Sequence, residues 1–465
     1  MPERSFSPRV WQNLWVRLAV ALAFADASIV VLALPQIIDR LHTSISHAVW
    51  VIVAYNLALI AGSVVILPFA RRLASNHALV AGLALFGLAS IGCGAAGSLA
   101  VLVPLRCVQG VGGALVLCAS LPLFAGAARP GDSALYGWSA AAAVGAAVGP
   151  AAGGVLTQIF SWRSIFFAQA PVAALAAIAV LAVRARPADE LVSEPEAGAS
   201  ALDPLSANVA LSFLSAGLIG VLFLVVIEMI DAWLLTPIGA AAIVTTLPVA
   251  TAIAERAVRG RSPVALGAAG AVLIALGLGC LSLVPHRELG FVVLALALCG
   301  AGLGLGFPGL TVAALRSGGP RSARAAKTIA ARDAGLVLGL LVLTPVFVGQ
   351  LNAVSGSATA QVTAEVIDAP LPTALKLQLA PGLEAAANNA PQSRPPDISP
   401  VFRQISVHAT ASEKLQLAVL ETRLEAIIQR AVTHAFKRPL LYGAIFALLV
   451  LPLLGARLAR LRANR

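Results

Sequence analysis

Apolar runs long enough to cross a bilayer recur along this chain, broken by short polar stretches. A helix rises about 1.5 Å per residue, so about 20 apolar residues cross a hydrocarbon core of roughly 30 Å. On that criterion the pattern predicts twelve spans, near 14–38, 48–70, 78–97, 99–127, 134–160, 164–184, 207–230, 234–255, 263–284, 288–314, 326–351 and 438–458. Two longer polar stretches interrupt the rhythm. Residues 185–206 carry Asp189, Glu190, Glu194, Pro195, Glu196, Asp203 and Pro204, a composition that cannot bury a core. They are expected to link an N-terminal six-helix half, 1–184, to a C-terminal half, 207–465. The expected fold is therefore an all-α polytopic membrane protein, two six-helix halves around a central cavity.

The second interruption, 352–437, is an insertion between the last two spans. Pro370, Pro372, Pro381, Pro391, Pro395, Pro396 and Pro400 predict a loop in its first part. From Ser412 to Arg430, Leu415, Leu417, Val419, Leu420, Leu424, Ile427 and Ile428 recur at near-helical spacing, predicting an amphipathic helix with Ser412 as N-cap. Three readings of the insertion stay open: a cover over the outer mouth, a helix lying on the membrane surface, and a docking element for a periplasmic adaptor protein.

Composition agrees with the pattern: 59% hydrophobic and 11% charged residues, with a mean hydropathy of +0.90. A net charge of +11 would suit nucleic acid, but the cations are scattered through short loops and form no dense basic block. Nucleic acid is not an expected partner; the lipid bilayer is. Arg71 and Arg72, Arg129, Arg184 and Arg186, Arg256, Arg259 and Arg261, and Arg316 to Lys327 fall in alternate loops. The short intervening loops hold few cations, Arg40, Arg163 and Arg287. By the positive-inside rule both termini are cytoplasmic. The five cysteines all fall inside spans without metal-ligand spacing, so they read as apolar filler. No metal, cofactor or catalytic motif is apparent, and an enzyme is not expected.

Candidate chemistry lies in the few ionisable residues inside spans, each costly enough to be a functional candidate. Asp26 is near mid-depth in the first span, and Arg106 enters the fourth from the opposite side. They could face each other, and a proton on Asp26 would then be governed by burial and by Arg106. Alternatively, Arg106 binds backbone carbonyls and Gln109 and simply locks the half. Glu228, followed by Asp231 and Trp233, is either a cavity acid or part of an interfacial cluster with Trp233 at headgroup level. Arg332 and Asp333, in the first turns of the eleventh span, join Arg71 and Arg72 as candidates for a cytoplasmic gate. Gln36, Tyr55, Asn56 and Gln109 are candidate cavity groups. Gly145, Gly149, Pro150, Gly153 and Gly154 predict a bare helix face on which a neighbour could slide or seal. The run Gly300 to Gly306 reads as helix packing rather than a dinucleotide loop, since no strand precedes it.

Several of these segments together resemble the drug:proton antiporters of the major facilitator superfamily, in particular the fourteen-helix multidrug exporter branch. Gly145 to Gly154 matches the family's antiporter motif of the fifth helix. Asp26-Ala27-Ser28-Ile29-Val30-Val31-Leu32-Ala33-Leu34-Pro35 resembles its Asp-x-Thr-x-Val-Asn-Val-Ala-Leu-Pro pattern. Leu105 to Ala114 resembles its Arg-x-x-Gln-Gly-x-Gly motif. Ser161-Trp162-Arg163 with Phe166, Phe167 and Pro171 resembles its fifth-to-sixth junction, with Gln169 where asparagine is usual. The chain departs from the family in three places. The loop Pro68 to His77 lacks the aspartate and later glycine of the family's gating latch, two central spans are missing, and Glu228 replaces a neutral or aromatic residue.

The resemblance implies proton-coupled efflux of small amphipathic or lipophilic molecules by alternating access, in a bacterial inner membrane. Asp26, Arg106 and Glu228, the acids and cation at depth, are the candidate coupling residues; the resemblance implies protons and a small lipophilic substrate as partners and no cofactor. Two alternatives stay open: transport of a lipid or metabolite on the same fold, and a non-transporting scaffold or sensor that binds a partner through 352–437.

Overall fold

The computed structural model describes residues 8–72, 76–127, 134–182, 202–258, 261–283, 288–390 and 394–455. Its described residues are helical and contain no strand. Twelve helices or helix runs are long and apolar enough to cross a membrane. They are Leu14–Arg40, Ile45–Arg72, Asn76–Ala95, Leu99–Phe124, Gly137–Ile159, Ser164–Ala182, Pro204–Ala232, Pro237–Glu255, Pro263–Ser282, Leu289–Leu315, Arg321–Asp368 and Ala411–Gly455, hereafter spans 1 to 12. Most of the predicted 185–206 linker lies outside the described residues. Its last residues already belong to span 7, which Asp203 caps by accepting from the Ser206 N–H at 3.2 Å.

The bundle has a near end, where span 1 begins, and a far end, where the segment between spans 11 and 12 stands. Span 1 is regular to Ile29, tightens into a 3₁₀ turn at Val30–Ala33, and resumes at Leu34–Arg40. Pro35 lacks the N–H that would bond the Val31 carbonyl, which accounts for the break. Span 5 packs along span 1 through its small residues. A Cβ on Gly145 would fall on the Ala21 carbonyl, one on Gly149 on the Ser28 hydroxyl, and one on Gly153 would lie 2.6 Å from the Ile29 carbonyl oxygen. Gly154 faces the other half, against Ala241 of span 8. The second half repeats the device: a Cβ on Gly335 of span 11 would fall on the Ser212 carbonyl of span 7, and Gly339 lies on Ala216. The glycines from Gly300 to Gly306 pack span 10 against spans 8 and 9, as expected of a packing face.

One apolar cluster joins the halves toward the far end, including Val30, Leu32, Trp162, Val226, Met229 and Ala241. A second, including Leu117, Phe124, Ala325 and Ile329, joins spans 4 and 11 toward the near end.

The insertion differs from expectation. Its proline-rich first part is mostly helical rather than a loop: span 11 continues unbroken to Asp368, and helices follow at Thr373–Asn389 and Ser399–Ser406, with irregular chain at 369–372 and 394–398 among the described residues. The N-cap of the amphipathic helix is Thr410, not Ser412. Thr410 accepts from the Glu413 N–H at 3.4 Å while Glu413 accepts from the Thr410 N–H at 2.8 Å, a complete capping box. That helix runs on into span 12 without a break, through Leu448. Its apolar stripe, Leu417, Leu420, Leu424 and Ile428, is buried against Val366, Leu371, Leu379 and Phe402. A helix whose apolar face is already covered, and which continues a span, is not lying on the membrane surface.

Candidate functional site

Two centres stand out in the interior, one polar and one an apolar cavity. The first is built by spans 1, 2, 3, 4 and 6 around Asp26, Arg106 and Gln109, all fully buried. Arg106 Nη1 donates to Asp26 Oδ2 at 2.6 Å and to Gln109 Oε1 at 2.6 Å, and its Nε donates to the Val51 carbonyl at 2.8 Å. Gln109 Nε2 faces three acceptors: Ser90 Oγ at 2.7 Å, Gln169 Oε1 at 2.9 Å and Asp26 Oδ1 at 3.2 Å. An amide has two hydrogens, so the contact to Asp26, the longest, is shared. The guanidinium also lies over the Tyr55 ring at 4.4 Å and the Phe166 ring at 5.6 Å. A buried ion pair with this many supporting bonds is costly to break from one side only.

The second centre is a cavity in the near half of the bundle, about 830 Å³ including its mouth, between spans 1 and 5 on one side and 7, 8, 10 and 11 on the other. Phe24, Trp138, Leu222 and Phe307 dominate its wall; Arg332 and Glu255 are its only charged lining residues among those described. Trp138 meets Phe24 edge-on at 5.6 Å, and the Arg332 guanidinium sits 4.1 Å over the same Phe24 ring. Phe24 is two residues from Asp26, so span 1 forms part of both centres.

The family model described as "Major Facilitator Superfamily" matches residues 17–357, well over half of the chain. The chain belongs to that superfamily. It is accordingly a multi-pass membrane protein. Part of the sequence is 37% identical over 165 residues to "Multidrug resistance protein Stp" of Mycobacterium tuberculosis, covering 34% of this chain and 30% of that one. Another relative, "Tetracenomycin C resistance and export protein" of Streptomyces glaucescens, is 31% identical over 185 residues, covering 39% of this chain and 34% of that one. This major facilitator thus spans about a third of the length of these curated relatives. A bacterial homologue of the human lysosomal transporter Spinster, solved inward-facing and unoccupied, superposes with a TM-score of 0.61 at 16% identity, over 97% of this chain and 99% of that one. At that identity it shows the fold alone.

In this facilitator the sequence-derived candidates fall into distinct places. Asp26 and Arg106 are in direct contact, and Arg106 also makes the backbone and Gln109 bonds of the alternative reading. Gln109 and Tyr55 are buried behind the cavity wall rather than in it; the Tyr55 hydroxyl donates to the Ala23 carbonyl at 3.0 Å. Asn56, also fully buried, donates to the Ile52 carbonyl at 2.8 Å. Gln36 staples span 1 to the spans 5–6 corner, donating to the Thr157 carbonyl at 3.1 Å and accepting from the Trp162 N–H at 3.0 Å. Arg71 and Arg72 are exposed in the 3₁₀ turn Leu67–Arg72, which packs against span 11. Arg332 belongs to the cavity, and Asp333 is buried beside it. Glu228 is buried in a π-helical turn, Glu228–Ala232. Trp233 does not face the headgroups: it is 2% exposed, and its indole N–H donates to Thr433 Oγ1 at 3.4 Å, because span 12 covers it.

Sequence reasoning missed one site altogether. At the far end Arg394, from the insertion, pairs with Asp39 of the first half at 2.9 Å and with Asp231 of the second at 3.3 Å. One side chain from a third element thus ties the two halves together.

Proposed function

We propose that this protein exports small amphipathic or lipophilic molecules across a bacterial inner membrane in exchange for protons, with both termini in the cytoplasm. The observation that carries the reading is the fully buried Asp26–Arg106 pair at 2.6 Å, standing two residues from Phe24 in the wall of an apolar cavity. Protonating Asp26 removes the charge that holds Arg106, while Gln109 Oε1 and the Val51 carbonyl still accept from it. Span 1 is then freed from span 4, and its movement along the glycine face of span 5 reshapes the cavity. The partial likeness to resistance and export proteins supports the drug-like substrate class.

Substrate-dependent proton flux in inverted vesicles tests the proposal, with lipophilic cations, neutral drugs and lipids as the panel. Flux present in the wild type and abolished in Asp26→Asn is the expected result. Full proton-driven activity in Asp26→Asn would remove Asp26 from the relay and leave Glu228 as the remaining coupling acid, to be checked as Glu228→Gln. No flux with any compound would favour a scaffold or sensor.

A further inference from the structure

The two interior arginines are treated oppositely by their surroundings. Arg106 has three acceptors, a carboxylate, an amide oxygen and a backbone carbonyl, on its Nε and Nη1, and only its Nη2 is left without one. Arg332 makes no hydrogen bond or ion pair among the described residues, and its Nε is buried without a partner. A guanidinium offers five N–H donors in a fork suited to carboxylate, sulfonate or phosphate oxygens. Stacking on Phe24 at 4.1 Å holds the group flat against the wall and offsets part of its charge, yet leaves those in-plane donors unused.

Two acids lie near Arg332, and neither comes within ion-pair distance of it; Asp333 acts on its charge only through space. Asp333 is its neighbour in sequence, and consecutive helical residues do not face each other. Glu255 ends the last helix of span 8, at the near end. Arg332 lies eleven residues beyond Arg321, where its own helix starts, roughly 16 Å along the axis at about 1.5 Å per residue. The cavity therefore has an unsatisfied cation in its depth, a carboxylate toward its rim and hydrocarbon between. Desolvated donors of this kind cost free energy until something accepts from them.

We propose that Arg332 anchors the head group of the transported molecule, and that this molecule is an amphiphile with an anionic group, its apolar body lying against Phe24, Trp138, Leu222 and Phe307. The inference deepens the export reading by naming a substrate class, but it concerns binding and does not depend on proton exchange.

The test is equilibrium binding to the purified full chain in lipid nanodiscs, with empty nanodiscs subtracted. Three probes share an undecyl chain ending in a dansyl fluorophore and differ only in the other terminus: sulfonate, hydroxyl or trimethylammonium. Energy transfer from tryptophan reports occupancy. The sulfonate should bind about tenfold or more tightly than the alcohol, the scale of one charge-assisted hydrogen bond. Arg332→Gln should bring the two within about twofold while leaving the alcohol's affinity unchanged, and Arg332→Lys should keep part of the preference. Trp138→Phe should lower the transfer signal per bound probe, placing the probe in this cavity. Equal binding of sulfonate and alcohol by the wild type, or a preference that survives Arg332→Gln, would overturn the proposal. Substrate-dependent proton flux with no head-group preference would overturn it while leaving the export reading intact. A sulfonate preference lost in Arg332→Gln, without proton flux, would support the site and count against proton exchange.

Discussion

Removing Arg394 should open the far end of the bundle. Its pair with Asp39 joins two side chains that are each about a third exposed, the kind of contact worth about 0.2–1 kcal/mol. Asp231 is only 3% exposed, so the bond it accepts is less screened and nearer the scale of about 1.5–3 kcal/mol for hydrogen bonds to charged groups. Asp231 has further interactions, and Arg394 itself is a third exposed, so the lower part of the combined range applies, about 2 kcal/mol. That corresponds to roughly a thirtyfold change in the ratio of far-end-closed to far-end-open molecules. Spin labels on Ser46→Cys and Leu283→Cys, exposed positions in opposite halves, would report it after the five native cysteines are replaced. Arg394→Ala should enlarge the long-distance population. Asp39→Asn should do so least, because it removes the more screened contact, and raised salt should act in the same direction. Arg394→Lys should fall between, since an ammonium lacks the fork that reaches two carboxylates at once. An unchanged distance distribution in Arg394→Ala would refute the reasoning.

Four further outcomes rest on packing and capping. Gly149→Ala should lower folded yield and melting temperature in detergent: its Cβ would lie on the Ser28 hydroxyl and 2.8 Å from the Ala25 carbonyl oxygen, an overpacking worth about 1–3 kcal/mol. Gly279→Ala, which meets nothing within 4 Å, should be neutral or stabilising by up to about 1 kcal/mol in the same melt. Arg106→Lys keeps the charge but cannot serve Asp26, Gln109 and the Val51 carbonyl together; it should cost part of the roughly 3–5 kcal/mol of a broken buried pair, read as lowered thermal stability. Thr410→Ala should fray the start of the last helix at about 1 kcal/mol, visible as faster amide exchange near Glu413 with little change at Asp39.

The twelve spans were legible because the bilayer imposes a length and a composition on every crossing. The meeting of Asp26 with Arg106 was legible for a related reason: so few charges lie at depth that few pairings exist. The insertion was misread because a dense run of prolines signals loop and helix start alike. Pro372 and Pro320 precede helices as N-caps, Pro400 is the second residue of one, and Pro381 lies within one. Only the surrounding packing, Leu379 and Phe402 against Leu424, separates these cases. Trp233 was assigned to the headgroups by its position at a span end, a rule blind to a helix arriving from 200 residues away. Arg394 carried no local signal, since its two partners lie in different halves and neither is near it in sequence. Phe24 could have been found: an aromatic two residues from a buried acid faces away from it, toward whatever the helix's other side lines.

Span 1 is where these features converge, and its irregular backbone is the reason it can serve them separately. Phe24 lies under Arg332 in the cavity, Asp26 holds Arg106, Ser28 and Ile29 ride on the span 5 glycines, and Asp39 meets Arg394. Fifteen residues separate Phe24 from Asp39, roughly 22 Å at about 1.5 Å per residue. A rigid helix of that length would pass any rotation at Asp26 straight to the far-end clamp. The 3₁₀ turn at Val30–Ala33, forced by Pro35, lies between the two and gives the segment a place to change twist. Restoring regular helix there, as Pro35→Ala would, should couple the two ends more tightly. Opening at the far end in Arg394→Ala would then disturb Asp26, whereas in the native chain the clamp can release while the buried pair stays intact.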